Sequence, residues 1–414
     1  MPIRGLINIP GDKSISHRAL MLASLTSGEC LVHNLSTGKD VESTRHCLSQ
    51  CGILSTKSNG SVRIKGGTFI SPKAALNCGN SGTTIRLLAG LLAGQGISSE
   101  FNGDISLSKR PMNRIIDPLT QMGVHFKSDN GCLPIIMTVN TLSAISYCLP
   151  IASAQVKSAI LMAGLGAEGK TIISENIKTR DHTEIMLNEM GVDIQVNDKI
   201  IIKKLNHPLK AFELTIPGDP SSAAFFAVLA AILPNSDITI KNIIANPTRT
   251  GIFRILEKMG AGVQWKNNRR EYGELVGDIH IYSKPLNGID ITEEIVPSVI
   301  DELPIIAILA SQADSPTRIS GAAELRVKES DRITAICSNL SKMGCEIIEK
   351  KDGFIINPVN NMHNTNINTY GDHRIAMAFT IAGYITPQKN LLDDQNCINI
   401  SFPEFNSILE SSVK

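Results

Sequence analysis

Eight cations, Lys13, Arg18, Arg86, Arg110, Arg180, Lys328, Arg332 and Arg374, fall in or just ahead of stretches whose residues predict the first turn of a helix. A helix N-terminus already carries partial positive charge, so a cation there opposes the dipole. Taken singly, each also fits a solvated surface cation. Together they call for an anionic partner, because free N–H groups at helix starts and Arg forks both bind phosphate and carboxylate. So many Arg imply a substrate, or a pair of substrates, with several anionic groups. Asp12, Asp219, Ser221 and Ser222, at two of the same starts, fit ordinary N-caps.

Acids complete the set. Asp301-Glu302 opens one predicted helix, and Glu329 stands at another between Lys328 and Arg332. A carboxylate among cations stays ionised and can take a proton, although a salt-bridge network uses the same residues. His17, His182 and His373 each neighbour an Arg; structural hydrogen bonding is expected of the first two, and the third is left open. Gly79-x-x-Gly82 is not a phosphate loop of the Walker kind, since no Gly-Lys-Ser/Thr follows at the needed spacing. No Gly-x-Ser-x-Gly elbow occurs, and Gly94-Gln95-Gly96 signals only a turn.

Composition narrows the class. The chain has 414 residues, 42% hydrophobic and 19% charged, with a formal net charge of +1. That is globular and gives no reason to expect a nucleic-acid or membrane partner. The longest apolar run, Ala223 to Leu233, is too short to span a bilayer and stops at Pro234. Met1-Pro2-Ile3-Arg4-Gly5 lacks an apolar signal core. Nine cysteines show no CxxC pairing, so reduced thiols, a cytoplasmic location and no metal are expected.

The elements that must position these residues repeat. Leu-x-x-(Met/Cys)-Gly-apolar occurs at Leu48–Ile53, Leu119–Val124, Leu187–Val192, Leu256–Ala261 and Leu340–Cys345, and a degenerate copy is expected near Leu409. Gly after the last apolar turn is a left-handed helix stop. A second pattern, a helix rich in small residues followed by a turn and a strand-like stretch, begins near Arg18, Arg86, Lys157, Ala224, Pro304 and Arg374. Two interleaved patterns with one period of about 70 residues mean six copies of one unit. Each copy reads as helix, strand, helix, strands, with helices buried on all sides. Ile9-Pro10-Gly11-Asp12-Lys13-Ser14 is echoed by Ile216-Pro217-Gly218-Asp219-Pro220-Ser221. The restart predicts two similar domains of three units, 12–218 and 1–11 plus 219–414, with a site in the cleft between them.

These residues resemble one family. Pro10-Gly11-Asp12-Lys13-Ser14-Ile15-Ser16-His17-Arg18 and Gly79-Asn80-Ser81-Gly82-Thr83-Thr84-Ile85-Arg86 are similar to the first two signatures of the 5-enolpyruvylshikimate-3-phosphate synthases. Ser153-Ala154-Gln155-Val156-Lys157-Ser158, Arg326-Val327-Lys328-Glu329-Ser330-Asp331-Arg332 and Gly371-Asp372-His373-Arg374 resemble the later ones, in family order. The resemblance implies an α/β fold of two domains, each of three βαβαββ units forming an inside-out barrel. It also implies enolpyruvyl transfer from phosphoenolpyruvate to the 5-hydroxyl of shikimate 3-phosphate, in the shikimate pathway, without metal or cofactor. Lys13 would contact both substrates and move protons. Ser14, Arg18, Ser153, Gln155, Arg180 and Lys328 would hold shikimate 3-phosphate, with Gln155 also near phosphoenolpyruvate. Asn80, Gly82, Arg110, Arg332 and Arg374 would receive phosphoenolpyruvate. Asp301 would bind shikimate 3-phosphate and take the hydroxyl proton, and Glu329 would handle the proton at the methylene carbon.

There are departures. Ile400 stands where many relatives carry Lys, Ala154 where a second Ser often follows, and Glu324 where others have Asn. Four motifs resemble the class II, glyphosate-tolerant members, yet Gly82 leaves room for that inhibitor, so intermediate tolerance is expected. The alternative readings are a UDP-N-acetylglucosamine enolpyruvyl transferase and a non-enzymatic anion-binding protein on the same scaffold. The first resembles a Lys-Asn start and a loop Cys, where this chain has Lys13-Ser14 and Lys109-Arg110-Pro111. The second needs cations but no acids. A monomer acting on small molecules is expected.

Overall fold

The computed structural model describes every residue except 59, 360 and 414. The chain divides into two compact units, residues 11–216 and residues 1–10 with 217–414.

The unit 11–216 holds three copies of the repeat. Its helices are α1 (Lys13–Ala23), α2 (Lys39–Gln50), α3 (Gly82–Gly94), α4 (Asn113–Gln121), α5 (Ala154–Gly164) and α6 (His182–Glu189). Each copy has a four-stranded sheet. The second, for example, runs Leu76–Asn77, Ser99–Asn102, Cys132–Val139, Val124–Asp129 across the sheet, the first pair parallel and the rest antiparallel. The first copy borrows its outer strand from the far end of the unit: Glu213–Thr215 pairs in parallel with Glu29–His33. The small residues of α3 explain its close packing on α5. A Cβ on Gly90 would lie 2.2 Å from the Ala159 carbonyl oxygen, and one on Gly94 2.6 Å from that of Met162.

The other unit contains α7 (Pro220–Ile232), α8 (Gly251–Lys258), a single turn α9 (Val296–Val299), α10 (Leu303–Ala310), α11 (Arg332–Lys342), α12 (His373–Ala382) and α13 (Phe405–Ser412). Its first sheet again borrows a strand, this time from the start of the chain. Arg4–Asn8 pairs in parallel with Asp237–Ile244. The fifth copy keeps four strands, whereas the sixth has two, Asn366–Ile367 and Leu391–Leu392, among the described residues. The chain then runs into a short 3₁₀ helix (Asn396–Ile400) and α13, the degenerate copy expected near Leu409. Phe402 and Phe405 fix this ending against α7: Phe405 meets Phe225 edge-on at 5.6 Å, and Phe402 meets Phe226 at 6.2 Å.

Both repeat signals take physical form. Gly52, Gly123, Gly191, Gly260 and Gly344 all have φ between 81° and 105°, so each stops a helix in the region that favours glycine. Helices such as α7 and α10 are buried nearly all round. Nine cysteines carry free thiols, Cys148 being the exposed one. No described helix is long and apolar enough to cross a membrane. Among the described residues no group of three or more His, Cys, Asp or Glu is placed to hold a metal ion.

Candidate functional site

In the unit 11–216 the candidate residues gather at helix starts. Asp12 caps α1 by accepting from the Ile15 N–H at 2.7 Å, which presents Lys13 and Ser14 in the first turn. Lys13 Nζ pairs with Asp40 Oδ2 at 2.9 Å. Arg18, one turn on and buried, donates through Nε to Thr183 Oγ1 and through Nη2 to Ser158 Oγ, both at 2.7 Å, and through Nη1 to the Ser14 carbonyl at 2.9 Å.

Ser81 caps α3 by accepting from the Thr84 N–H at 3.1 Å, which puts Asn80 and Gly82 on either side of the cap. Arg110, in the bend ahead of α4, donates to Asn80 Oδ1 at 2.7 Å and to Ser106 Oγ at 3.1 Å, while Asn80 Nδ2 donates to Asp104 at 2.6 Å. Ser153 caps α5, and Gln155 in its first turn accepts from Arg86 Nη1 at 2.7 Å and donates to Thr83 Oγ1 at 2.9 Å. The structure therefore brings together the first turns of α3 and α5.

Arg180 stands half-buried just ahead of α6. The residue before it is held firmly: Glu175 Oε2 accepts from the Thr179 N–H at 3.1 Å and from its hydroxyl at 2.8 Å. Lys157, with no exposed side-chain surface, supplies the counter-charge at 3.1 Å to Glu175 and 2.7 Å to Glu184. Burial pushes the Glu184 carboxyl above its ordinary range despite Lys157.

In the other unit Arg332 is the hub. Its Nε lies 2.8 Å from Asp372 Oδ2, its Nη2 2.5 Å from Glu329 Oε2 and its Nη1 3.8 Å from Asp301 Oδ1. Burial would lower the guanidinium, yet Asp372, Glu329 and Asp301 together hold it above its ordinary value. Burial would likewise raise Asp372, and Arg332 reverses the sign, leaving it below the usual carboxylate range. Arg374 donates to the Asp301 carbonyl at 2.7 Å and lies 3.6 Å from Glu302. One cluster thus joins Asp301, Glu329, Arg332 and Arg374.

Lys328 has a different neighbour, Glu324 at 3.2 Å. Glu324, where the family resemblance leads one to expect Asn, is thus the acid that holds the Lys expected to bind substrate. Ile400 lies in the 3₁₀ helix and packs partly buried against the core, so that position is apolar in role as well as in type.

The salt-bridge network that the sequence left open as an alternative is present in part. Lys13, Arg332 and Arg374 each meet carboxylates within their own unit, which offsets part of the dipole cost without a ligand. Asp40 had no motif to announce it. Asp372 did, inside Gly371–Arg374, but its part as both the cap of α12 and the partner of Arg332 needs the fold. The part of the Ser158 and Thr183 hydroxyls, as acceptors for Arg18, needs the fold in the same way.

A model of the EPSP synthase (3-phosphoshikimate 1-carboxyvinyltransferase) family matches residues 1–409. The 3-phosphoshikimate 1-carboxyvinyltransferase of Petrotoga mobilis is 46% identical over 99% of this chain and 96% of its own length. That of Syntrophomonas wolfei is 43% identical over 99% of this chain and 97% of its own. The solved structure of the EPSP synthase from Acinetobacter baumannii is similar with a TM-score of 0.87 at 40% identity, covering 99% of this chain and 96% of that one. With bonded acid–cation clusters at the helix starts and full-length likeness on all three counts, the chain belongs to the EPSP synthase family.

Proposed function

We propose that the protein moves the enolpyruvyl group of phosphoenolpyruvate onto the 5-hydroxyl of shikimate 3-phosphate and releases phosphate, a step of the shikimate pathway towards chorismate and the aromatic amino acids. The observation that carries the reading is the Arg332 cluster, in which one buried cation holds Asp301 and Glu329 beside Arg374. An anion-binding protein needs the cations; proton transfer needs the acids as well.

In this reading the methylene carbon of phosphoenolpyruvate takes a proton, which builds positive character at C2. The 5-hydroxyl oxygen bonds to C2 as its proton passes to Asp301, giving a tetrahedral intermediate. The bond from C2 to the phosphate oxygen then breaks, phosphate leaves, and a proton lost from the methyl group restores the double bond. Glu329 and Lys13 serve the carbon-bound proton. Ser14, Arg18, Ser153, Gln155, Arg180, Lys328, Lys13 and Asp301 hold shikimate 3-phosphate. Lys13, Asn80, Gly82, Arg110, Gln155, Arg332 and Arg374 receive phosphoenolpyruvate. Arg groups and helix ends supply charge that is already oriented, so the step asks for no cofactor. Free thiols throughout fit a cytoplasmic enzyme, and glyphosate is an expected competitor of phosphoenolpyruvate. We further expect a monomer.

The test is phosphate release from phosphoenolpyruvate with and without shikimate 3-phosphate. Release that depends on shikimate 3-phosphate is expected. Release that depends instead on UDP-N-acetylglucosamine, or on neither, would overturn the reading.

A further inference from the structure

We propose that His17, Thr44 and Thr84 are positioning residues: they form a buried hydroxyl chain of fixed direction that sets the Asn80–Gly82 turn against Lys13, and so governs how phosphoenolpyruvate is received. The inference rests on the proposed assignment of Lys13, Asn80 and Gly82 to that substrate.

The chain crosses three helices of one unit. His17 Nδ1 on α1 lies 2.7 Å from Thr44 Oγ1 on α2. Thr44 Oγ1 lies 2.8 Å from Thr84 Oγ1 on α3. Thr84 Oγ1 in turn lies 2.8 Å from Ser81 Oγ, the cap of α3, and 3.2 Å from the Asp40 carbonyl oxygen. His17, Thr44 and Thr84 have no exposed surface, and Ser81 only 1%. The two ends reach the site residues. Ser81 sits between Asn80 and Gly82, and Asp40 holds Lys13 through its carboxylate at 2.9 Å.

Counting protons fixes the direction. A carbonyl oxygen only accepts, so the Thr84 hydroxyl donates to Asp40, shared with Ser81. Thr84 must then accept from Thr44, and Thr44 must accept from His17. His17 is therefore the tautomer with its proton on Nδ1. Its Nε2 is buried without a hydrogen-bond partner, and in this tautomer it is a bare lone pair. The reverse direction would leave a buried N–H there instead, and unpaired buried N–H groups are the rarer case. Burial, reinforced by Lys13 and Arg18, keeps the ring neutral.

A chain with one direction is specific in a way that packing is not. Removing one hydroxyl leaves its neighbour with an unmade bond and lets the first turn of α3 settle elsewhere. Neither His17 nor Thr84 touches substrate in the proposed reaction, so the effect falls on binding geometry.

The test compares pairs of variants by steady-state phosphate release and thermal unfolding. Thr84→Val and His17→Leu remove the chain with little change in bulk. Both are expected to raise KM for phosphoenolpyruvate about tenfold or more, as one lost buried hydrogen bond does, with a smaller change for shikimate 3-phosphate. Thr84→Ser keeps the hydroxyl, and the Asn amide of His17→Asn can take the place of Nδ1–H; both are expected to stay within about threefold of wild type. Lower Tm with unchanged KM in Thr84→Val and His17→Leu would overturn the proposal, as would His17→Asn behaving like His17→Leu. Nitrogen-15 shifts of the His17 ring read the tautomer without turnover: a protonated Nδ1 supports the chain and a protonated Nε2 overturns it. Absence of shikimate-dependent release in the wild type would count against the assigned reaction and leave the ring measurement standing.

Discussion

Arg332 Nε and Asp372 Oδ2 meet at 2.8 Å with the guanidinium 1% exposed and the carboxylate not exposed at all. Asp372 does three things at once: it accepts from Arg332, from the Ser330 hydroxyl at 3.1 Å, and from the Arg374 N–H at 2.9 Å as the cap of α12. Asp372→Asn keeps the shape and leaves Arg332 to Glu329 and Asp301 alone, so a loss of about 1.5–3 kcal/mol is expected at pH 7, typical of one buried hydrogen bond to a charged group. The folded carboxyl is held below its ordinary value, so its contribution is present above that value and fades as pH falls through the folded one. Urea unfolding from pH 7 down to pH 3 should show wild type and variant converging at the acid end. Parallel curves would mean that Asp372 is not the charged partner of Arg332.

Asp301 tests the chemistry. Asp301→Asn retains a cap-sized polar group and the backbone carbonyl to which Arg374 donates. Turnover is expected to fall by about 100-fold or more, the usual contribution of a general base, with shikimate 3-phosphate binding by calorimetry preserved. Near-normal turnover would reduce Asp301 to a structural neighbour of Arg332.

Gly82 bears on glyphosate. An added Cβ would lie 2.8 Å from Arg86 Nη1 and 3.6 Å from Arg110 Nη1. The nearer atom ends a flexible side chain, so Gly82→Ala is accommodated by moving Arg86 off Gln155. Wild type is expected to show intermediate tolerance, since Ile400 stands where the family resemblance leads one to expect a Lys, a contact worth roughly tenfold to hundredfold in affinity. Competitive inhibition should weaken further in Gly82→Ala, by about tenfold, with a smaller rise in KM for phosphoenolpyruvate. Inhibition constants that match in the two proteins would remove the steric argument.

His17 gives stability a pH dependence of its own. Its folded pKa lies well below the ordinary 6.5, chiefly through burial. Below about pH 6.5 the unfolded chain takes up a proton that the folded one refuses, so stability is complete above that pH and declines beneath it. His17→Asn should flatten the curve between pH 7 and pH 5 in thermal unfolding. An unchanged slope would place the titration on another group.

The repeat was legible because it is written in residues that cannot be exchanged freely: Gly at left-handed stops such as Gly123, and small residues where α3 crosses α5 at Gly90. The borrowed strands were not. Arg4–Asn8 and Glu213–Thr215 are short, carry no repeat signature, and find their partners far along the chain. Within the candidate site the charged members stood out by type. Their supports did not, since Thr44 and Thr84 are ordinary helix residues until the fold sets them 2.8 Å apart.

The strand at the start of the chain has a consequence for biosynthesis. Arg4–Asn8 emerges from the ribosome well before the residues it pairs with, Asp237–Ile244, which come more than 200 positions later; the Ile3 N–H bond to Ser236 spans 233. The intervening unit, residues 11–216, supplies all its own strands, down to Glu213–Thr215. It can therefore close while the leading strand still waits, and units that complete early during synthesis fold early. For that interval the newborn protein carries an unpaired strand ahead of its finished unit, an open invitation to pair with a neighbouring nascent chain. The shortness of that strand, five residues, keeps the invitation weak.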